Sequence, residues 1–130
     1  MNLRYLFLIS ILVTACVFSS CSRAEETTNS KDPKVLKAQC DRGDAKACLS
    51  LGAMYNEGTG VTQDFAQAVE FYRKACDGGS ALGCDNLGVR YELGMGVKQS
   101  NTDALNYYGK ACDLKDENGC EYYARIKKKR

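Results

Sequence analysis

Three nine-residue brackets hold the residues whose type and spacing could do covalent chemistry: CDRGDAKAC from Cys40 to Cys48, CDGGSALGC from Cys76 to Cys84, and CDLKDENGC from Cys112 to Cys120. Cysteines in such a pattern bind a metal, cycle between thiol and disulfide, or staple the backbone. The C-x7-C spacing is neither the C-x2-C of a zinc ribbon nor that of a thioredoxin-like redox pair. The chain contains no histidine, which removes histidine-based triads and the histidine ligands of most catalytic zinc sites. No metal and no cofactor is expected. Structural disulfides remain, and the shared local context of the brackets pairs Cys40 with Cys48, Cys76 with Cys84, and Cys112 with Cys120.

The other chemistry-bearing groups have simpler roles. Asp41 with Asp44, and Asp116 with Glu117, lie at turns and helix starts, where carboxylates cap helices rather than work as acid and base. Gly94 and Gly96 repeat Gly58 and Gly60, with no strand before either pair, so they read as repeat turns and not as a phosphate loop.

Disulfides call for an oxidising compartment, and the N-terminus supplies export grammar. A short basic start at Arg4 precedes the apolar run YLFLISILVTACVF, Tyr5 to Phe18, and then small residues. The run has 14 residues, short of the ~20 that a membrane-spanning helix needs. Processing before Cys16, before Cys21 or after Ala24 fits the pattern. Processing before Cys16 would leave Cys21 as an odd thiol. Lipidation at Cys21 is favoured, because it also makes RAEETTNSKDPK a polar tether. The expected organisation is a signal peptide over 1–20, a tether over 21–33 and a domain over 34–130, with the product in the periplasm, in the outer envelope or secreted.

The formal net charge of +2 is unevenly distributed, since Arg125, Lys127, Lys128, Lys129 and Arg130 fall in the last six residues and residues 21–124 carry 12 basic against 16 acidic side chains. No aromatic reader motif accompanies the basic residues, so no nucleic-acid partner is expected. The basic tail suits the C-terminal end of a last helix. Membrane contact is expected only through the N-terminal lipid.

Positioning the brackets requires a repeat. At a shift of 36 residues, Leu51, Gly52 and Tyr55 fall on Leu87, Gly88 and Tyr91; Gly58, Gly60 and Gln63 fall on Gly94, Gly96 and Gln99; Ala68 and Tyr72 fall on Ala104 and Tyr108. Ala47, Leu51 and Tyr55 recur every fourth residue, as do Ala68 and Tyr72, which is the apolar face of a helix. Glycines stop each first helix, and Thr62 or Asp64, then Ser100 or Asn101, start each second one. The pattern predicts helices over 34–41, 45–57, 64–77, 81–93, 101–113 and 117–127, each bracket spanning a turn between antiparallel helices. A period of this length signals stacked helix pairs. The expected fold is all-α: a short right-handed α-solenoid of about three disulfide-stapled αα-hairpins.

The segments LGAMYNEGTGVTQDFAQAVEFYRKAC and LGVRYELGMGVKQSNTDALNYYGKAC closely resemble the Sel-1-like repeat, a relative of the tetratricopeptide repeat. With the C-x7-C brackets the chain resembles the cysteine-rich, secreted Hcp-type branch of that group over residues 34–127. After Cys120 the pattern decays to EYYARIKKKR, which reads as a polar cap. The resemblance implies a protein- or peptide-binding scaffold. It also implies, as an alternative, penicillin binding with weak β-lactamase activity, and so a β-lactam or cell-wall fragment as ligand. None of the serines has a lysine three positions later, so the S-x-x-K signature of serine β-lactamases is absent and no catalytic residue is assigned.

In a stacked array the first helices line a concave face. The repeated positions pack, so ligand contacts are expected at the varying ones: Ser50, Met54 and Glu57 in one unit, Asn86, Arg90 and Leu93 in the next. Asn86 offers a donor and an acceptor to a peptide backbone, and Arg90 a partner for a carboxylate.

Overall fold

Short polar residues in extended backbone start every helix. In the computed structural model, which describes residues 31–129, the caps are Asp32, Asp44, Asp64, Ser80, Ser100 and Asp116. Asp44 accepts from the backbone N–H of Lys46 and Ala47 at 2.9 and 3.2 Å, and Asp64 accepts from Ala66 and Gln67 at 2.9 and 3.1 Å. Each side chain satisfies donors that the first helical turn leaves unpaired. The helices that follow are α1 (Pro33–Asp41), α2 (Ala45–Glu57), α3 (Phe65–Asp77), α4 (Ala81–Leu93), α5 (Asn101–Asp113) and α6 (Glu117–Lys128). No strand occurs among the described residues. The signal segment, the lipidation position Cys21, the tether up to residue 30, and Arg130 lie outside the described residues.

Capping explains Asp44 and Asp116 as expected, but not Asp41. At the end of α1 its carboxylate takes ion pairs from Lys37 at 2.8 Å and from Lys74 of α3 at 3.3 Å. The hydrogen bonds from Lys37 and then Lys74 hold its carboxyl below the usual range.

The helices α2 and α4 end on Gly58 and Gly94, at φ 72° and 65°, a left-handed conformation that L side chains avoid. Each helix packs against its neighbours in sequence, and α4 also meets α6. Residues 31–129 thus form one compact unit, an α-solenoid of stacked hairpins. All three disulfides are formed, with Cα–Cα separations of 4.7 Å for Cys40–Cys48, 4.5 Å for Cys76–Cys84 and 4.4 Å for Cys112–Cys120. Each joins the end of one helix to the first turn of the next.

The core is continuous but thin. Leu51, Val69, Leu87 and Tyr108 are almost fully shielded from solvent, and aromatic pairs bridge successive helices: Tyr55 stacks on Phe71 and Tyr91 on Tyr107, both at 5.4 Å. A Cβ on Gly52 would stand 2.5 Å from the ring of Tyr72, and one on Gly88 would stand 2.7 Å from that of Tyr108. The repeated glycines are therefore where first helices close onto tyrosine faces. In the chain-entropy account, closing a nine-residue loop is worth about 2.5 kcal/mol, so three staples supply an amount comparable with the whole stability of a small domain.

Candidate functional site

The face formed by α2 and α4 is built from helix periodicity. Leu51 and Leu87 turn inward at 1% and 0% exposure, which turns the preceding residues, Ser50 and Asn86, outward. Ser50 and Glu57 are exposed, Asn86 and Met54 are half-buried, and Leu93 is among the most exposed large apolar residues. Neither the Ser50 hydroxyl nor the Asn86 amide enters a side-chain hydrogen bond among the described residues, so both are open to a partner.

Arg90 departs from the open position expected of it. It is 8% exposed, its guanidinium lies 5.9 Å from the centre of the Phe65 ring, and its Nη1 donates to Met95 Sδ at 3.4 Å. Its Nε is shielded without a partner, and no carboxylate pairs with it among the described residues. The reason is visible in the repeat. Met54 holds the same position one unit earlier, with its Cε 3.0 Å from where a Cβ on Gly60 would be, and Ile126 holds it one unit later in the core. This is a packing position beneath the glycine loop, and Arg90 fills it with its aliphatic stem and a cation over an aromatic face.

Two clefts that the sequence did not single out repeat at the same 36-residue spacing. One, of about 670 Å³, is lined by Tyr55, Val61, Thr62, Gln63, Asp64 and Gln67, with Lys37. The other, of about 530 Å³, is lined by Tyr91, Val97, Lys98, Gln99, Ser100 and Asp103. Each lies between the end of a first helix, the glycine loop and the start of a second helix. The loop is pinned identically in both, since Gln63 Nε2 donates to Asn56 O at 2.8 Å and Gln99 Nε2 to Glu92 O at 2.9 Å. The recurrence of valine and glutamine after the glycines was the signal that could have found these clefts. None of Ser50, Met54, Glu57, Asn86 and Arg90 lines them.

The two units differ where they close. Glu92 Oε2 accepts from Tyr108 Oη and from Arg125 Nη2, both at 2.8 Å, clamping α4, α5 and α6 together. Burial, then the bond to Glu92, pushes the Tyr108 hydroxyl up. At the corresponding places of the earlier unit stand Asn56, Tyr72 and Val89, which cannot form that clamp. Between α3 and α4, Arg73 instead donates to Tyr91 Oη at 3.1 Å while paired with Glu70.

The Sel1 repeat model matches residues 45–80 and 81–116, the α2–α3 and α4–α5 pairs. The chain belongs to the Sel1 repeat family. In Sel1 terms α1 precedes the first matched repeat, α6 follows the second, and every disulfide crosses a repeat boundary. Among solved structures the chain is similar to Helicobacter pylori cysteine rich protein B, with TM-score 0.68, 28% identity, and coverage of 81% of this chain and 77% of that one. It is also similar to a Sel1 repeat protein from Oxalobacter formigenes, with TM-score 0.68 and 27% identity over 70% of this chain. The chain spans only 37% of that Oxalobacter protein. No curated protein sequence matches the chain. A cysteine-rich Sel1 fold supports a protein-interaction scaffold, and its disulfides suit a compartment outside the cytoplasm.

Proposed function

We propose that this Sel1 repeat protein is exported, held at the cell envelope by a lipid on Cys21, and captures a protein or peptide on the face formed by α2 and α4. The observation that carries the binding reading is the pairing of Ser50 with Asn86. They occupy one repeat position 36 residues apart, both are polar and unengaged, and each stands beside a leucine sealed into the core. Two hydrogen-bonding groups repeated along a rigid array suit an extended backbone, which offers a donor and an acceptor at each residue. Glu57 supplies charge at the rim, while Met54 and Arg90 brace the glycine loop beneath the face rather than touch the partner. Export is supported by the three formed disulfides and by the basic-then-apolar N-terminus.

A photoreactive residue in place of Asn86, introduced in cells that make the full chain, tests this. The expected result is a discrete adduct that a photoreactive residue at the exposed Lys46 does not give. Adducts of equal pattern from both positions, or none from either, would remove the assignment of this face. Mass spectrometry of the mature N-terminus tests the lipid, and an unmodified Glu25 there would sink it.

A further inference from the structure

Both ends of the compact unit emerge on one edge of the solenoid. Short turns make successive helices antiparallel, so α1, α3 and α5 start on the glycine-loop edge, and α2, α4 and α6 return to it. Two contacts bear this out: Pro33 at the start of α1 lies 3.8 Å from where a Cβ on Gly60 would stand, and Arg125 near the end of α6 reaches Glu92 near the end of α4 at 2.8 Å. On this edge Lys127, Lys128 and Lys129 are exposed and make no ion pair among the described residues. Lys127 lies 5.5 Å from the Tyr123 ring centre. Lys31, Lys34 and Lys98 are exposed on the same edge and likewise unpaired. Of the acidic residues there, Asp32 and Asp64 cap helices and Glu92 is taken by Tyr108 and Arg125, which leaves Glu57 and the half-buried Asp103 in the first turn of α5. The bracket edge is different: Asp44, Asp77, Asp113, Asp116 and Glu117 sit there beside Arg42, Lys46 and Lys115.

The charge of the compact unit is therefore segregated, with a cationic edge on a body whose residues 31–124 carry 11 basic against 14 acidic side chains, a net of −3. The apolar face of α6 cannot insert into anything, because Ile126, Tyr122 and Tyr123 pack against Ala104 and Tyr108 of α5. Among the described residues no helix is long and apolar enough to cross a membrane. What the edge offers is surface electrostatics alone.

We propose that the glycine-loop edge rests on an anionic phospholipid surface, with Lys127, Lys128 and Lys129 as its principal contacts. The proposal rests on the extracytoplasmic reading above, which brings the domain to an envelope membrane. Because the chain enters at Pro33 on this same edge, an upstream anchor would draw the lysines toward the surface rather than away from it. A single lipid binds marginally, and a basic patch is the kind of second signal that makes attachment stable. Each lysine near an anionic surface is worth roughly fivefold in partitioning, lost over about a Debye length. Three together predict a loss of roughly a hundredfold when neutralised at low salt.

The test uses the unlipidated chain from residue 25 onward, which keeps the whole compact unit and its disulfides, so that its outcome is independent of export and lipidation. Sedimentation with phosphatidylcholine vesicles containing about a third phosphatidylglycerol should show binding that pure phosphatidylcholine does not. Binding should weaken steeply with salt and fall at least tenfold in the triple variant Lys127→Gln, Lys128→Gln, Lys129→Gln. The variant Arg42→Gln, Lys46→Gln, Lys115→Gln, with the same change of charge on the bracket edge, should bind as the parent does. Unchanged binding by the first variant, an equal loss in both, or retention by soluble heparin with none by anionic vesicles overturns the proposal. Circular dichroism melts of the variants show whether the fold is kept.

Discussion

Asp85 lies where the preceding repeat has Leu49, and the exchange leaves a carboxyl in an apolar place. It is 8% exposed, its Oδ1 has no partner, and it sits on α4 next to Cys84. Burial, and to a lesser degree the charge of Asp116 at the start of α6, raise its carboxyl from the ordinary 3.8 to about 6. A tenfold change in proton affinity is worth ~1.4 kcal/mol, so ionised Asp85 costs the fold about 2–3 kcal/mol at neutral pH. Its affinity for a proton is higher in the folded chain than in the unfolded one, so folding takes up a proton between about pH 4 and pH 6. Stability from this group is therefore present at low pH and lost as pH rises through that window. Asp85→Asn keeps the shape and removes the charge. Comparing denaturant midpoints of parent and variant from pH 4 to pH 8 cancels the other carboxyls. The two should be nearly equal at pH 4, and the variant should be more stable by about 2–3 kcal/mol above pH 7, a rise of roughly 10 °C in melting temperature for a domain of this size. A difference that stays constant across the range would refute the account, since only an ionisation produces that dependence.

Two other predictions test the bracket turns. Gly43 and Gly79 hold left-handed backbone at φ 94° and 90°, and the third bracket places Lys115 in the same conformation at φ 69°; Lys115→Gly should therefore raise stability by about 0.5–1 kcal/mol in thermal melts, and a loss would show that the lysine side chain matters more than its backbone. Reducing the three disulfides should remove several kcal/mol and unfold the array at moderate temperature by circular dichroism, whereas an unchanged melt would deny the staples their structural role.

The fold was legible because every unit states it again. Helix limits came from residues that signal locally: Asp44, Ser80 and Ser100 as caps, Gly58 and Gly94 as stops, and the period of Leu51 and Leu87 as the buried stripe. The disulfide pairing was legible for the same reason, since three brackets of one spacing across three equivalent turns point to one local solution. Asp41 ends α1 instead of capping the next helix: it pairs with Lys37 one turn back, which helical spacing could have shown, and with Lys74, 33 residues on, which no local pattern reveals. Asp85 escaped notice because the sequence shows a polar residue at a varying position without showing that the position is sealed.

Arg90 shows why the binding face was harder to read than the fold. Variation between repeats can mark ligand contact, but a position also varies where several side chains fill one space. Met54, Arg90 and Ile126 do so: a thioether, a cationic stem and a branched aliphatic chain lie at one repeat position. Ser50 and Asn86 vary for another reason, since Ser50 is exposed, Asn86 is only half-buried, and neither side chain is held by a hydrogen bond among the described residues. The distinction is whether a neighbour closes over the position, and that depends on the glycine loop and the next helix together. A repeat sequence therefore specifies its scaffold through what recurs, and its partner through the part of the variation that the scaffold leaves uncovered. In the proposed reading that part is the polar pair Ser50 and Asn86 on α2 and α4.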